Sequence, residues 1–593
     1  MTKPRKKDGK ILRRLLMYIL RFWPLALLGL LLSVCANVLA LLGPVYLGDA
    51  VDAISHKNGV QMDAVWLNFV RMLLCYSAAA LLSYLLTLTM VNLSQKVTYR
   101  MRGDLFESLT GLPVAYFDSH AVGDIVSRFS YDIDTVNSTL STDLVQVLSS
   151  SITVLGSLAM MCTIAPPLLA VFAVTVPVSI LFTKKKATKI QPLFRKRSAK
   201  LGELNGFAEE MLSGAKTIGA YHRMEEVCNR FDEKNEQAAD AYYEAEYYGV
   251  LIGPTVNFIN NLSLSLIMIL GGVLYLLSQN GTVVEGSIWF ITLGGITKFV
   301  MYSRKFAGPI NEFANIMNEF QSAFTAAERV FRVMDEAGEP ADKEDAITLE
   351  KAAGEVALED VSFGYLPDQP VLKNVSFHAK PGQTIAIVGP TGAGKTTVIN
   401  LLMRFYDADA GRITCDGRDI HDYTRDSLRK AYTMVLQDTW LFHGTVWENI
   451  TYGRENATEE EVIAAAQSAR IHTFIHRLPE GYQTLLSDDG VNISKGQKQL
   501  ITIARAMLAD SRMLILDEAT SNVDSRTEKK IQEAMNDLMH GRTGFVIAHR
   551  LSTIQHADCI LVVRDGTVAE QGTHEELLAR KGIYASLYQS QFS

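Results

Sequence analysis

Cysteine is scarce in this chain of 593 residues, and the few cysteines are scattered. None of the six belongs to a CxxC pair or to a regularly spaced set. Structural zinc sites and disulfide frameworks need such spacing. The sequence therefore predicts neither a metal cluster nor a disulfide scaffold, and the cysteines are interpreted as reduced thiols.

Charge is missing from long stretches of the first half of the chain. No charged residue occurs between Arg21 and Asp49 or between Arg71 and Lys96. A helix rises about 1.5 Å per residue, so the first stretch covers about 40 Å, more than the ~30 Å hydrocarbon core of a bilayer. Each stretch is therefore predicted to be a membrane span.

Further apolar stretches complete this pattern. Residues 143–184 are long enough for two spans, and the Ala-Pro-Pro sequence at 165–167 is predicted to turn the chain between them. Residues 246–285 give a fifth span, and residues 287–306 give a sixth, which Lys298 interrupts. The first half is thus predicted to be a membrane α-helical domain with six spans.

Basic residues mark one side of these spans. Lys and Arg crowd three of the flanking segments, whereas the three intervening loops carry only Lys57. The basic segments are 3–14, 96–102 and 184–200, and the loops are 54–63, 165–167 and 279–285. Because cytoplasmic loops carry the excess of Lys and Arg, a multi-pass protein with both termini in the cytoplasm is expected.

The composition changes near residue 336. Residues 1–335 carry 31 basic and 27 acidic side chains, a net +4, whereas residues 336–593 carry 26 and 37, a net −11. The charged segment 336–355 is predicted to be a linker. From residue 356 apolar strand patterns alternate with helical ones, which is typical of an α/β domain. The predicted organisation is a transmembrane domain at 1–335, a linker at 336–355 and an α/β domain at 356–593.

A glycine-rich loop, GPTGAGKT at 389–396, follows the apolar strand GQTIAIV and precedes a helical pattern. This is the context of a Walker A motif. Its glycines let backbone N–H groups wrap phosphates at a helix N-terminus, Lys395 reaches the outer phosphates, and Thr396 is expected to ligate Mg²⁺. The α/β domain is therefore predicted to bind ATP and Mg²⁺, although this motif alone does not separate kinases, GTPases and transport ATPases.

Three later strand ends add chemistry to this loop. The strand in RMLILDEAT ends in Asp517, which is expected to hold the metal through water, and Glu518, which is expected to orient or deprotonate the attacking water. His549 ends another apolar strand and is predicted to hydrogen-bond the γ-phosphate. Gln437 follows a third strand and is predicted to sense both Mg²⁺ and the water.

Tyr365 in VSFGYLP is predicted to stack on adenine, with a core position as the alternative. The predicted ATP contacts are Tyr365, Gly389, Pro390, Thr391, Gly392, Ala393, Gly394, Lys395, Thr396, Thr397 and Gln437. The predicted metal site comprises Thr396, Gln437 and Asp517, the last through water.

The order of Tyr365, the Walker A loop, Gln437, ISKGQ, LILDEATSNVD and His549 resembles the nucleotide-binding domain of the ABC transporter superfamily. Six spans in front of that domain resemble a bacterial ABC exporter half-transporter. The resemblance covers nearly the whole chain. It implies a P-loop ABC ATPase domain, location in the bacterial inner membrane and a second half-transporter as partner.

The same resemblance implies composite ATP sites between two nucleotide-binding domains. Ser494, Lys495, Gly496 and Gln497 would contact ATP bound to the partner, and Asp524 would bridge the two sites. Segments 117–124 and 213–221 would be the coupling helices.

Lys495 departs from the pattern of that family, whose loop usually reads Leu-Ser-Gly-Gly-Gln. A solvent-pointing side chain that leaves the backbone donors intact is one interpretation. Altered loops are also typical of heterodimeric bacterial exporters, in which one site is degenerate. Because this chain keeps Glu518 and His549, a heterodimer is favoured and a homodimer remains the alternative.

Lys298 is the other residue with two interpretations. It lies roughly 20 Å along a helix from Glu285, so it either faces a wet substrate cavity or extends toward the inner surface. The function predicted from the whole sequence is ATP-driven efflux of small lipophilic or amphipathic compounds by a transporter in contact with membrane lipid, without a nucleic-acid partner. A lipid flippase or a peptide exporter is the nearest alternative. Two alternatives come from other functional classes: a soluble P-loop kinase or repair ATPase, and a membrane-bound regulatory ATPase that does not transport.

Overall fold

A computed structural model of the chain describes residues 6–56, 59–436, 439–486, 493–517, 524–548 and 554–592. The chain forms two compact units. The first comprises Met1–Thr110 and Val122–Glu336, and the second comprises Gly111–Ala121 and Ala337–Ser593. The second unit thus includes a short segment from the half of the chain that was predicted to be transmembrane.

Long helices make up the first unit. In chain order, and with α4 of the second unit included, they are α1 (Lys6–Leu20), α2 (Trp23–Ile54), α3 (Met62–Thr110), α4 (Val114–Ser119), α5 (Val122–Ser127), α6 (Ile133–Ser138), α7 (Leu144–Ile164), α8 (Leu169–Ser213), α9 (Ala215–Ala220), α10 (Met224–Val250), α11 (Ile252–Gln279) and α12 (Leu293–Met334). Two π-helical turns join α5 to α6 and α6 to α7, at Arg128–Asp132 and Thr139–Asp143.

Five helical segments within the described residues are long and apolar enough to cross a membrane. They are Trp23–Ile54, Met62–Thr110, Val122–Ile164, Pro166–Ser213 and Met224–Gln279. The sixth predicted span falls on α12, which begins at Leu293 rather than at residue 287. This helix carries Lys298, Arg304 and Lys305 within its first 13 residues, so its composition is less apolar than that of the other five.

The predicted break at 165–167 is present, because α7 ends at Ile164 and a 3-10 turn at Pro166–Leu168 leads into α8. Buried side chains from five helices meet in one core of this unit. That core includes Leu41 of α2, Met161 of α7, Val171 of α8, Ile267 of α11 and Phe299 of α12.

Strands and short helices make up the second unit. The strands are β1 (Val356–Phe363), β2 (Leu372–Ala379), β3 (Thr384–Val388), β4 (Ala410–Cys415), β5 (Arg418–Asp419), β6 (Tyr432–Val435), β7 (Gly444–Thr445), β8 (Leu485–Leu486), β9 (Met513–Asp517), β10 (Thr543–Ile547), β11 (Cys559–Arg564) and β12 (Thr567–Gly572). The helices that follow α12 are α13 (Lys395–Leu402), α14 (Arg425–Lys430), α15 (Val446–Thr451), α16 (Glu459–Ser468), α17 (His472–Ile475), α18 (Lys495–Ala509), α19 (Ser525–Met539), α20 (His574–Ala579) and α21 (Ile583–Phe592).

A six-stranded sheet organises this unit, in the order β12-β11-β3-β10-β9-β6. Its strands are parallel except for β12 at one edge. Successive residues of β3 enter opposite cores: Ile385 and Ile387 pack toward the antiparallel sheet β2-β1-β4-β5, whereas Ala386 and Val388 join the helical side. Burial on both faces explains why the strands are apolar runs rather than alternating patterns.

Three arginines hold the segment that was predicted to be a linker. Asp342 lies 3.4 Å from the guanidinium nitrogens of both Arg404 and Arg425, whose side chains are buried. The Arg429 guanidinium donates to Glu339 at 3.0 Å. This part of the chain is therefore packed onto the nucleotide unit through charge-assisted hydrogen bonds.

Candidate nucleotide-binding site

The predicted Walker A loop joins β3 to α13, which begins at Lys395. Gly394 precedes the helix with φ 104°, and a Cβ there would lie 2.7 Å from Leu372 Cδ2. At Gly389 a Cβ would lie 2.1 Å from the carbonyl oxygen of Val563. Glycine at these positions allows a close turn that brings backbone N–H groups to the start of α13.

The N-terminus of α13 is open to an anion. No side chain within the described residues caps it, so its first N–H groups and the positive end of the helix dipole are available to phosphate. The Lys395 ammonium donates to the carbonyl oxygens of Gly389 at 2.8 Å and Pro390 at 3.0 Å. Burial lowers the pKa of Lys395, and the negative charge of Asp517 opposes this shift. A cation thus lies inside the loop beside the helix terminus.

The two threonines at the start of α13 have different environments. Thr396 is exposed, so its hydroxyl is free to ligate a metal, whereas Thr397 is buried and its hydroxyl lies 3.2 Å from that of Tyr365. In the rest of the loop Thr391 and Gly392 are exposed and Ala393 is buried.

The carboxyl ends of four neighbouring strands meet at the edge that carries this loop. Asp517 is the last residue of β9 and pairs with Ile547, the last residue of β10, which lies beside β3. Asp517 thus ends at the same edge of the sheet as the loop after β3, two strands away, and its negative charge opposes the lowering of the Lys395 pKa by burial. The Asp517 carboxylate and the Thr396 hydroxyl are hard oxygen ligands of the kind that Mg²⁺ prefers.

Three predicted residues, Gln437, Glu518 and His549, lie outside the described residues. Each follows a strand of the same sheet, because β6 ends at Val435, β9 at Asp517 and β10 at Ile547. Their roles stay predictions.

Tyr365 is held by contacts that the sequence did not predict. Asn400 donates to its hydroxyl at 3.1 Å, and its ring meets the Tyr406 ring edge-on, with centroids 5.1 Å apart. Because Tyr365 remains 45% exposed, part of its ring is available to a nucleotide base. Tyr406 in turn donates to Asp118 at 2.6 Å, and burial raises the pKa of Tyr406, with a further rise from the bond to Asp118.

The loop at 494–497 forms the start of α18. Ser494 caps the helix: its hydroxyl accepts from the Gln497 backbone N–H at 3.3 Å, and the Gln497 side chain accepts from the Ser494 N–H at 2.9 Å. Gly496 is buried and Lys495 is exposed. In the single chain the lysine is exposed and the capping box holds the start of the helix, and the two interpretations of Lys495 both stay predictions.

Asp524 caps α19 in a similar way. Its carboxylate accepts from the backbone N–H groups of Thr527 at 3.0 Å and Arg526 at 3.2 Å. These hydrogen bonds, the Thr527 bond first, lower the pKa of Asp524. The bridging role implied by the resemblance stays a prediction.

Comparison with known proteins identifies the chain. Residues 26–293 match the family model of the ABC transporter transmembrane region, and residues 372–521 match the ABC transporter model. An uncharacterized ABC transporter ATP-binding protein of Bacillus subtilis is 44% identical over 587 residues, 99% of this chain and 95% of that protein. The chain belongs to the ABC transporter family. It is an exporter half-transporter, a membrane protein that binds and hydrolyses ATP.

Two further relatives extend this comparison. The fatty acid ABC transporter ATP-binding/permease protein of Mycobacterium bovis is 44% identical over 531 residues, 89% of this chain and 82% of that protein. The structure of a bacterial Atm1-family ABC exporter with ATP bound has a TM-score of 0.76 and 29% identity, and it covers 98% of this chain and 99% of that chain. The predicted fold class, a membrane helical domain followed by an ABC ATPase domain, is confirmed.

Lys298 of this ABC transporter forms an ion pair that neither interpretation had included. Its ammonium lies 2.5 Å from Asp49 of α2. One turn of α2 later, Asp52 accepts from the Thr292 hydroxyl at 2.9 Å and from the Gly294 N–H at 2.7 Å. The position of Asp49 at the end of the first charge-free stretch was the available signal. Exposure of Lys298 to a substrate cavity stays a prediction.

Proposed function

We propose that this half-transporter exports lipophilic or amphipathic compounds from bacteria, in the inner membrane, with both termini in the cytoplasm. The observation that carries the proposal is the uncapped N-terminus of α13, with Lys395 inside the loop and Asp517 at a neighbouring strand end. This site lies in the same chain as five helices suited to cross a membrane.

Residue roles follow from that site. The N–H groups at the start of α13 and the Lys395 ammonium bind the ATP phosphates, while Tyr365 supports the adenine. Thr396, Gln437 and, through water, Asp517 would hold Mg²⁺, which neutralises phosphate charge when bound. Glu518 orients or deprotonates the attacking water, His549 bonds the γ-phosphate, and Gln437 also contacts the water.

Two such chains, or this chain and a related partner, would form the complete transporter. Ser494, Lys495, Gly496 and Gln497 then meet ATP bound to the partner, and Asp524 lies between the two sites. Closure on ATP turns the cavity outward and hydrolysis resets it. We favour a heterodimer because Lys495 alters the loop that meets the partner's ATP, while Glu518 and His549 are present for the site that this chain itself binds.

A lipid flippase is the second candidate. The Mycobacterium bovis relative is named as a fatty acid transporter, so a substrate with an acyl chain fits the same proposal. Both activities would use the same ATP cycle. They are distinguished by the assay, which measures either the transfer of a lipid between leaflets or the release of a compound into solution.

Transport is tested with inverted membrane vesicles that contain the assembled protein. ATP-dependent uptake of a fluorescent amphiphile is expected, and Glu518→Gln is expected to lower turnover on the order of 10²-fold or more while ATP still binds and traps the closed dimer. ATP hydrolysis without uptake of any amphiphile would instead indicate a regulatory membrane ATPase. Normal hydrolysis by Glu518→Gln would overturn its assignment as the catalytic residue.

A further inference from the structure

A cavity of about 290 Å³, lined by both polar and apolar residues, lies between α8, α11 and α12 of the membrane unit. Its polar walls include the amides of Asn257, Asn260 and Asn261 on α11 and the guanidinium of Arg304 on α12. The two helices thus face the same space with hydrogen-bond donors. Such groups are rare within membrane spans and mark paths for ligands or ions.

The depth of the cavity follows from position along the helices. Arg304 is 11 residues after Leu293, where α12 begins, which corresponds to about 16 Å. On α8, Thr175 lies nine residues before Lys184, the first of the basic cluster, or about 13 Å. Taking the start of α12 and Lys184 of α8 as the two edges of the hydrocarbon core, both distances correspond to about half of its ~30 Å thickness.

Arg304 differs from the other two cations in this part of α12. Lys298 pairs with Asp49 at 2.5 Å, and Lys305 donates to the Ala40 carbonyl at 3.2 Å. In the part of the chain that the structure describes, no hydrogen bond or ion pair engages the Arg304 guanidinium. Its charge is therefore available to a ligand in the cavity.

The other residues that line the cavity indicate which charge its ligand carries. None of the described lining residues is acidic. Thr175 and Ser263 bring hydroxyls together at 3.1 Å between α8 and α11, and the apolar side chains of Phe172, Ile180 and Leu264 line the same space. A cation with amide donors recognises an oxyanion, since guanidinium groups bind carboxylate or phosphate in a bidentate manner.

We propose that this cavity binds the headgroup of an anionic amphiphile, a carboxylate or phosphate, with its apolar chain against Phe172, Ile180 and Leu264. The inference rests on the proposed export function and narrows its substrate class. Arg304 supplies the charge, and Asn257, Asn260 and Asn261 supply neutral donors. A cationic amphiphile would be repelled by Arg304, and none of the described lining residues has a carboxylate that could bind it.

Binding without ATP tests this inference separately from transport. The assembled transporter in nanodiscs is titrated with dodecanoate, dodecyl phosphate, dodecanol and dodecyltrimethylammonium. Both anions are expected to bind at least about tenfold more tightly than the alcohol, as one charge-assisted contact allows, and the cation more weakly still. A preference for one anion identifies the carboxylate or the phosphate as the recognised group. Equal affinity for all four probes would overturn the proposal.

Variants assign the charge to Arg304. Arg304→Gln is expected to reduce the affinity for the anions about tenfold with dodecanol unchanged, and Arg304→Lys to keep part of the preference. Lys185→Gln removes an exposed cation from α8 away from the cavity and is expected to change no affinity. If Arg304→Gln does not fold, Asn261→Leu must lower the anion affinity selectively. Unchanged anion binding in the folded variants would contradict the assignment, whereas selective binding without ATP-dependent uptake would contradict only the export function.

Discussion

Two helices of the nucleotide unit begin with a lysine, and their N-termini are built differently. In α13 the preceding residue is Gly394, no described side chain caps the helix, and Lys395 is buried in the loop. In α18 the preceding residue is Ser494, whose hydroxyl completes a capping box, and Lys495 is exposed. Every helix leaves its first N–H groups without partners inside the helix. At α18 a side chain satisfies one of these groups, whereas at α13 no described side chain does.

The difference shows which terminus is ready for phosphate in a single chain. At α13 the unsatisfied donors, the helix dipole and the Lys395 ammonium act at the same place. At α18 one donor is already satisfied by Ser494, and the lysine of its first turn is exposed. We expect the first end to bind phosphate within a single chain and the second to act only when a partner brings ATP to it.

Among changes at these two helix ends, the largest expected effect on ATP binding comes from Lys395→Ala. Loss of a charged donor to phosphate is expected to weaken ATP binding by at least about tenfold, since such bonds contribute about 1.5–3 kcal/mol. Titration of the full-length protein with a fluorescent ATP analogue measures it. Lys495→Ala is the matched control at the other helix and is expected to stay within about twofold. Equal losses in both variants would remove the distinction between the two ends.

Gly394→Ala tests the geometry of the open end. A residue other than glycine in left-handed backbone costs about 1–2 kcal/mol, and the new Cβ would also meet Leu372 Cδ2 at 2.7 Å. Weaker ATP binding and a lower thermal unfolding midpoint are expected together. Gly392 also has a positive φ, but a Cβ there would meet open space. Gly392→Ala is therefore expected to weaken ATP binding and lower the unfolding midpoint less than Gly394→Ala. Identical effects of the two changes would show that the contact with Leu372 is unimportant.

Ser494→Ala tests the capped end. Loss of the cap is expected to destabilise α18 by about 1 kcal/mol, which thermal unfolding of the full-length protein detects. Ser494→Asn supplies another capping side chain and should restore most of the stability. If Asn restores stability but not the ATPase rate, the serine hydroxyl has a separate role toward the partner's ATP. Full stability of Ser494→Ala would show that the capping box contributes little.

The smallest effect is expected from Lys495→Gly in the assembled transporter. Because Lys495 is exposed, its removal should change the ATPase rate by less than about threefold, as surface charges contribute little. A Ser-to-Ala change in the signature loop of a partner subunit should instead abolish most activity in a heterodimer. Substrate-stimulated ATPase of this chain alone and with its partner provides the measurement. Full activity of this chain alone would favour the homodimer.

The sequence predicted what is contiguous along the chain. The Walker A loop, the strand ending at Asp517 and the helix starting after Ser494 each depend on a few adjacent residues with one backbone requirement. The pairs Lys298–Asp49 and Tyr406–Asp118 join residues 249 and 288 positions apart. Tertiary packing sets these pairs, and no local pattern encodes them.

The domain boundaries stay predictions from composition. A linker was predicted at 336–355 because that segment is charged and contains proline and glycine. In the structure the carboxylates of Glu339 and Asp342 bond to arginines that lie more than 60 residues later in the chain. The roles of Gln437, Glu518 and His549 remain predictions from motif order.

The bonds between the arginines and Glu339 limit how much slack the chain has. Helix α12 ends at Met334, and Glu339 is already held by Arg429, so a fully extended chain spans at most about 17 Å between them. The second unit is also joined to the first at residues 110–111 and 121–122. The chain therefore passes between the two units at three places, at 110–111, 121–122 and 336–337. Few residues there could extend if the nucleotide unit were displaced by a large distance. We expect a displacement of the nucleotide unit to act through the backbone on α12 and on the ends of α3 and α5, which are the helix ends nearest these crossings.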